Sequence, residues 1–179
     1  ETRVVPVIVI DDPGRAPDTA SALEAGGIPC GEITLRTPEA LAAIERIARE
    51  NPGFIVGAGT ILSTYHVDSA IEAGAHFLVS PGFDEVVVSR ALERGIPIIP
   101  GVATATEIQR ALKMGLTRVK FFPAGVLGGV GALRALSGPF PEVRFLPSGG
   151  VSVANAREFL QDPSVFAISG SWMATREMI

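Results

Sequence analysis

The sequence predicts an α/β protein of the (β/α)8 TIM-barrel class. The prediction rests on one pattern that repeats along its 179 residues. A short apolar run, a loop, an amphipathic stretch and a Gly or Pro break repeat along the chain, and the eight apolar runs start 19 to 27 residues apart. Strands that are apolar throughout and alternate with helices indicate a parallel sheet covered on both faces. Eight such strands suit a closed barrel.

The eight predicted strands span residues 4–10, 31–35, 54–58, 77–80, 96–100, 118–122, 144–147 and 165–168. Among the predicted helices, one spans 40–49, where Thr37 is the expected N-cap, with Pro38 and Glu39 opening the first turn. A second helix is predicted over 108–114, preceded by Thr104 and Glu107 at capping-box spacing.

Glycines at 74, 95 and 115 each follow a helical stretch, as glycines that end helices do. The chain contains no linker and no low-complexity segment, so one domain over 1–179 is expected. Only residues 171–179 follow the last predicted strand, and 179 residues is short for a complete barrel, so shortened terminal helices are expected. The alternative is an open doubly wound sheet, but the first strand is followed by Asp11-Asp12-Pro13-Gly14 and not by G-x-G-x-x-G.

Composition excludes several partners. The net charge of -4 and the lack of a Lys/Arg cluster argue against nucleic acid, and no apolar run approaches the roughly 18 residues of a membrane span. The single cysteine, Cys30, rules out an internal disulfide and predicts a reducing, cytoplasmic compartment, and no signal peptide is visible before the first strand. The sequence has only two lysines, Lys113 and Lys120, beside 13 arginines.

Lys120 is the first candidate for chemistry because it lies inside an apolar strand. Alternation places it on the same face as Phe122, and in a barrel one strand face is the interior. Burying an ammonium is costly, which favours the neutral amine that attacks a carbonyl. The structural alternative, a lysine that reaches the rim or pairs with a carboxylate, is about equally plausible on sequence alone.

A polar stripe on the second strand is the next candidate. Glu32, Thr34 and Arg36 alternate and therefore face the same way. They suit either a structural Glu–Arg ion pair or a general acid/base, Glu32, beside a carboxylate-binding Arg36.

Three glycine-containing loops follow predicted strands. The run Gly57-Ala58-Gly59-Thr60 permits close backbone approach to a ligand, although a tight turn explains it equally well. Ser148-Gly149-Gly150 and Ser169-Gly170-Ser171 follow the seventh and eighth strands, where barrels often bind phosphate. The two histidines, His66 and His76, have no ligand partner at helical or strand spacing, so no metal site is predicted.

Taken together, these stretches resemble the 2-keto-3-deoxy-6-phosphogluconate (KDPG) aldolase family, which also includes 4-hydroxy-2-oxoglutarate (KHG) aldolases. The resemblance covers nearly the whole chain and rests on Val5-Pro6-Val7-Ile8, Glu32-Ile33-Thr34-Leu35-Arg36-Thr37, Val56-Gly57-Ala58-Gly59-Thr60, Ser80-Pro81-Gly82, Pro100-Gly101-Val102, Val119-Lys120-Phe121-Phe122-Pro123-Ala124, Gly138-Pro139-Phe140 and Gly170-Ser171-Trp172.

The resemblance implies a class I aldolase that needs neither metal nor cofactor, forms homotrimers and releases pyruvate from a phosphorylated keto acid. It assigns the Schiff-base lysine to Lys120 and the general acid/base to Glu32. Substrate-binding roles fall to Arg36 and Thr60 at the pyruvyl carboxylate, Pro81 and Phe122 at the pocket wall, and Ser148, Gly149, Gly150, Gly170 and Ser171 at the phosphate.

The chain departs from the family pattern at three positions. Gly125 stands where an acid is usual after Phe-Pro-Ala, Ser148 where Thr is usual, and Ser169 where Gly is usual. Ser148 keeps a hydroxyl and is expected to be tolerated, whereas Ser169 is expected to place a side chain beside the phosphate. Two alternatives to an aldolase stay open at this point: a non-catalytic or engineered oligomeric scaffold, and a phosphate-binding barrel isomerase that forms no imine.

Overall fold

The computed structural model describes residues 2–179, and these form seven α-helices and nine β-strands. The strands are β1 (Val4–Ile8), β2 (Cys30–Thr34), β3 (Ile55–Gly59), β4 (Phe77–Val79), β5 (Ile98–Ile99), β6 (Gly101–Val102), β7 (Arg118–Phe121), β8 (Arg144–Pro147) and β9 (Ile168–Gly170). The helices are α1 (Ala16–Ala25), α2 (Ala40–Glu50), α3 (Thr64–Glu72), α4 (Glu85–Glu93), α5 (Ala105–Lys113), α6 (Gly129–Ser137) and α7 (Val153–Leu160). A short 3-10 helix, Pro13–Arg15, precedes α1.

Every strand pair is parallel, so the predicted parallel α/β architecture is confirmed. Six strands form one sheet in the order β5-β4-β3-β2-β1-β9, and three form a second in the order β6-β7-β8. Because the strands are parallel and their helices cross back outside them, all their carboxyl ends lie at the same end of the molecule.

Two of the predicted strands differ from the observed ones. The fifth is divided at Pro100, which has no N–H to contribute to the ladder and separates β5 from β6. Pro100 still accepts a hydrogen bond from the Lys120 amide at 2.8 Å. The eighth lies later than predicted, since Val165 makes only an isolated parallel bridge to Phe145 and regular pairing begins at Ile168.

The helix ends agree with the predicted caps and terminal glycines, with one exception. Thr104 and Glu107 form the predicted capping box of α5, and the glycines after three helices have positive φ at positions 74, 95 and 115. The N-cap prediction for α2 is wrong. Glu39 occupies that position without a side-chain cap, because the Thr37 hydroxyl donates instead to the Ile10 carbonyl at 2.6 Å.

The apolar core lies between the strands and the helices. It forms two clusters, one built on the first five strands with α1 to α4, the other on β6 to β9 with α5 to α7. Ile33 of β2 belongs to the first cluster, and Val119 and Phe121 of β7 belong to the second. The alternating residues of the same two strands therefore point away from the helices, and these are Glu32, Thr34 and Lys120.

Beyond β9, residues 171–179 form turns and no helix, as the length of that segment predicts. In residues 2–179, no helix is both long enough and apolar enough to cross a bilayer.

Candidate active site

Lys120 and Glu32 form the centre of the candidate site. They come from different sheets, β7 and β2, yet the Lys120 Nζ lies 3.4 Å from the Glu32 Oε1. Both side chains are buried, with 6% of Lys120 and 1% of Glu32 exposed. The Nζ–Oε1 distance is long for a charge-assisted hydrogen bond.

The second oxygen of the Glu32 carboxylate has no hydrogen-bond partner among residues 2–179, although it is buried. An unpaired buried carboxylate oxygen is costly, so its presence needs a reason other than stability. The Phe122 ring supplies a further surface to the amine, with its centroid 5.4 Å from the Lys120 Nζ.

Gly59 at the end of β3 makes room for Glu32. A Cβ added to Gly59 would lie 2.0 Å from the Glu32 Oε1 and 2.5 Å from its Cγ. Any side chain at position 59 would therefore displace the carboxylate. Gly57 has a similar role, because it accommodates the Phe77 ring, which a Cβ would meet at 2.2 Å.

Arg36 is held at the mouth of the site by the second strand. Its Nε donates to the Thr34 Oγ1 at 3.2 Å, and the Thr34 hydroxyl in turn donates to the Ile8 carbonyl at 3.2 Å. Within residues 2–179, no carboxylate lies within 4 Å of the Arg36 guanidinium, so the Glu–Arg ion pair considered for this strand is absent there. Nearby, Thr60 has a φ of 62°, a strained conformation for a β-branched residue.

The loops after β7 and β8 meet on the other side of the pocket. Ala124 and Gly125 donate backbone hydrogen bonds to the Ser148 and Gly149 carbonyls, both at 2.8 Å. The loop after β8 turns through two left-handed residues, with φ of 79° at Gly149 and 82° at Gly150. A Cβ on Gly125 would approach the Gly150 Cα to 3.0 Å, so an acid at position 125 would require the two loops to separate.

These groups line one cavity of about 330 Å3 at the carboxyl ends of the strands. Every residue predicted for the site lines it: Glu32, Arg36, Thr60, Pro81, Lys120, Phe122, Ser148, Gly149, Gly150, Gly170 and Ser171. Sequence reasoning did not assign Val7, Thr34 or Val151 to the pocket, which they also line. Thr34 was recognisable from its place in the polar stripe, whereas the two valines resemble ordinary core residues.

The expectation for Ser169 is wrong. Its side chain is fully buried in β9, it does not line the cavity, and its hydroxyl has no hydrogen-bond partner within residues 2–179. Side chains alternate along a strand, and Ser169 pairs with Val5 of β1 below the loop that reaches the pocket.

The histidines have local structural partners. The His66 Nδ1 accepts from the Leu62 amide at 3.2 Å, and the His76 Nδ1 lies 3.3 Å from the Val56 carbonyl. Within the described part of the chain, no three His, Cys, Asp or Glu side chains group closely enough to hold a metal ion.

A parallel α/β fold with a buried lysine beside a carboxylate, at the carboxyl ends of its strands, is typical of imine-forming enzymes. A profile of the family described as "Aldolase: KDPG and KHG aldolase" matches residues 1–179. The chain belongs to this family, as the resemblance in its sequence predicts.

Several proteins that are similar to this chain are KDPG or KHG/KDPG aldolases. The KHG/KDPG aldolase of Escherichia coli K12 is 47% identical over 176 residues, which cover 98% of this chain and 83% of that protein. The KDPG aldolase of Legionella pneumophila, solved with pyruvate captured at low pH as a covalent carbinolamine, is 41% identical with a TM-score of 0.96, over 98% of this chain and 85% of that one.

The KDPG aldolase of Zymomonas mobilis ZM4, solved with 3-phosphoglycerate, is 44% identical with a TM-score of 0.92, over 96% of this chain and 81% of that one. These findings favour an aldolase over the two alternatives that the sequence leaves open, and none of them supports a non-catalytic scaffold.

Proposed function

We propose that this protein is a class I pyruvate aldolase that cleaves 2-keto-3-deoxy-6-phosphogluconate to pyruvate and glyceraldehyde 3-phosphate, and also cleaves 4-hydroxy-2-oxoglutarate to pyruvate and glyoxylate. The observation that carries the proposal is the buried contact of 3.4 Å between the Lys120 Nζ and the Glu32 Oε1, inside a cavity that opens at the strand ends. Family membership and the carbinolamine of the Legionella relative support the same chemistry.

Lys120 is the nucleophile. Its neutral amine adds to the C2 carbonyl of the keto acid and forms a carbinolamine, which loses water to give an iminium. The Glu32 carboxylate takes the proton of the C4 hydroxyl, and the C3–C4 bond breaks as its electron pair moves into the iminium. The aldehyde leaves and an enamine of pyruvate remains.

Glu32 then returns its proton to C3 of the enamine, and water hydrolyses the resulting iminium to release pyruvate and the free Lys120 amine. The unpaired Glu32 Oε2 supports this role, because a carboxylate with one free oxygen can accept a substrate proton without breaking a structural hydrogen bond. No metal ion and no organic cofactor takes part in any of these steps.

The two ends of the cavity suit the two ends of the substrate. Arg36, unpaired by any carboxylate of residues 2–179, offers two terminal N–H groups to the pyruvyl carboxylate, and Thr60 lies beside it. The backbone of Ser148–Gly150 with Gly170 and Ser171 binds the phosphate, close to where α7 begins at Val153. Pro81 and Phe122 form walls between these ends.

The nine strands supply the eight positions of a closed (β/α)8 barrel in a single domain. The interruption at Pro100 makes β5 and β6 two parts of one strand position, and the Phe145–Val165 bridge joins β8 toward β9, which supports closure. A homotrimer and a cytoplasmic location complete the proposal. Family resemblance and exposed apolar side chains at Leu62, Tyr65 and Val86 support the first, and the lone Cys30 supports the second.

The test is borohydride reduction in the presence of pyruvate, followed by peptide mass analysis. We expect a reduced pyruvyl adduct on Lys120, loss of both adduct and cleavage activity in Lys120→Arg, and neither loss in Lys113→Arg, which changes the other lysine, exposed on α5. Arg keeps the charge but cannot act as an amine nucleophile, so it separates covalent from electrostatic roles. Substantial cleavage by Lys120→Arg would show that the nucleophile assignment is wrong.

A further inference from the structure

The buried Gly101 of β6 adjoins both the proposed nucleophile and one wall of the pocket. It pairs in register with Lys120 of β7, so the two residues face the same side of the sheet. A Cβ added to Gly101 would lie 2.1 Å from the Pro81 carbonyl oxygen, 2.3 Å from the Pro81 carbonyl carbon and 2.7 Å from the Gly82 amide nitrogen. The turn that carries Pro81, a residue that lines the pocket, therefore packs directly on the Cα of Gly101.

The contact with this turn, and not the backbone conformation, calls for glycine at position 101. Gly101 is not one of the glycines with positive φ. All three atoms that its Cβ would meet belong to the backbone, which cannot swing aside as a flexible side chain can. The Ser80 hydroxyl donates to the Gly82 carbonyl at 2.8 Å and holds the turn together, so a side chain at position 101 would move Pro81 with the turn.

Pro81 borders the part of the pocket that holds the donor, the keto acid that becomes the enamine in the proposed mechanism. Arg36 and Thr60 follow β2 and β3, Pro81 follows β4, and Lys120 lies on β7. In strand order, Pro81 therefore lies between the proposed carboxylate site and the amine. The proposed phosphate loops follow β8 and β9, on the other side of β7. The Pro81 wall thus faces the three carbons of pyruvate and not the phosphate end of the substrate.

We propose that Gly101 limits the length of the donor keto acid, because it seats the Pro81 turn and thereby fixes the width of the pocket beside Lys120. Gly101 does not line the cavity, so it acts through Pro81 and is a positioning residue. A Cβ at position 101 points to the same side of the sheet as Lys120 and pushes the turn toward the amine. The proposal rests on the proposed aldolase activity and deepens it, since it names a residue that selects pyruvate over longer 2-oxo acids.

The test compares two donors in the aldol direction. Glyceraldehyde 3-phosphate is combined with pyruvate or with 2-oxobutanoate, whose chain is one methylene longer, and kcat/KM is measured for each donor in wild-type protein, Gly101→Ala and Gly82→Ala. Gly82 is an exposed glycine of the same turn, and a Cβ there meets nothing within 4 Å, so Gly82→Ala is the matched control.

We expect Gly101→Ala to lower kcat/KM for 2-oxobutanoate about 10- to 200-fold more than for pyruvate, the range that one methylene gives in an apolar pocket. Gly82→Ala should leave the ratio of the two donors unchanged. Pro81→Ala removes the wall and should shift the ratio in the opposite direction, toward 2-oxobutanoate. An unchanged ratio in Gly101→Ala or in Pro81→Ala would overturn the proposal, and so would an equal shift in Gly101→Ala and Gly82→Ala.

Two further measurements keep the result unambiguous. If Gly101→Ala alone does not fold, the same donor ratio is compared between Pro81→Gly and the double variant Pro81→Gly/Gly101→Ala, in which the turn can yield, and equal ratios there would contradict the proposal. The borohydride-reduced pyruvyl adduct on Lys120 is scored in the same samples. Failure of the aldolase assignment appears as a missing adduct in the wild-type protein, whereas an adduct with an unchanged donor ratio means that only the role of Gly101 is wrong.

Discussion

Two regions of the molecule each bury a carboxylate, and they satisfy it in different ways. In the turn between α7 and β9, the Asp162 Oδ1 accepts from the Ser164 amide and hydroxyl, and its Oδ2 accepts from the Arg134 Nε at 2.8 Å. In the candidate active site, Glu32 has one long contact to Lys120 and one oxygen without a partner in residues 2–179. Both residues are at least 96% buried.

The difference separates a structural carboxylate, Asp162, from the one proposed to react, Glu32. Burial disfavours the charge of Asp162, yet the hydrogen bonds from Ser164 and Arg134 outweigh it and hold the pKa of Asp162 below its usual range. Asp162 therefore stays ionised and fixes the turn. Glu32 lacks this support, and in the proposed mechanism its free lone pair accepts a substrate proton, at a cost in stability that the rest of the fold offsets.

The largest expected effect follows from removing the reactive carboxylate. Glu32→Gln keeps the shape of the side chain but cannot accept the C4 proton, so kcat/KM for cleavage should fall by about 10² to 10⁴. The pyruvyl adduct on Lys120 should still form, more slowly. A coupled assay of pyruvate release and borohydride trapping measure the two steps, and an unchanged kcat/KM would remove Glu32 from the mechanism.

A displaced carboxylate should cost somewhat less than a missing one. Gly59→Ala places a Cβ where the Glu32 Oε1 now lies, and displacements of about 1 Å in a reacting group can cost about 10²-fold in rate. The matched control is Gly131→Ala in α6, where an added Cβ meets nothing within 4 Å. Equal kcat/KM in the two variants would show that the position of Glu32 is not limiting.

Much of this site was predictable because strand alternation and strand-end placement are properties of local sequence. Lys120, Glu32 and Arg36 stand out as polar residues in apolar strands, and the glycine loops after β8 and β9 lie where parallel strands present ligands. The capping box at Thr104 was predictable for the same reason, since its partner lies three residues away.

The parts that sequence reasoning missed depend on contacts between distant segments. Gly59 serves Glu32 on the neighbouring strand, 27 positions earlier in the chain, and the Thr37 hydroxyl caps the Ile10 carbonyl and not its own helix. The direction of Ser169 depends on its register against Val5. Local sequence preferences contain no information on such pairings. For this reason the predicted N-cap role of Thr37 and the predicted position of the Ser169 side chain were wrong.

Mutation of Asp162, the structural carboxylate, should lower stability and leave activity unchanged. Asp162→Asn removes the charge that holds Arg134 and weakens the Ser164 contacts, which should cost about 1 to 3 kcal/mol of the free energy of unfolding with no loss of kcat/KM at neutral pH.

A lowered pKa in the folded state gives stability that is present above the usual aspartate range and is lost as the pH falls through the lowered value. Urea unfolding of wild-type protein between pH 7 and pH 3 should therefore show a loss of stability that Asp162→Asn lacks. Parallel pH curves for the two proteins would contradict this assignment.

The smallest expected effect tests whether every unsatisfied buried polar group here is functional. The Ser169 hydroxyl is fully buried and unpaired within residues 2–179, like the Glu32 Oε2, but it lies outside the cavity. Ser169→Ala removes the desolvation cost without leaving a partner unpaired, so it should raise stability by up to about 1 kcal/mol, or Tm by about 2 to 4 °C. Cleavage kinetics should not change. A lower Tm in calorimetry would instead show that ordered water satisfies this hydroxyl, and Glu32 would then remain as the buried carboxylate whose missing partner is the substrate.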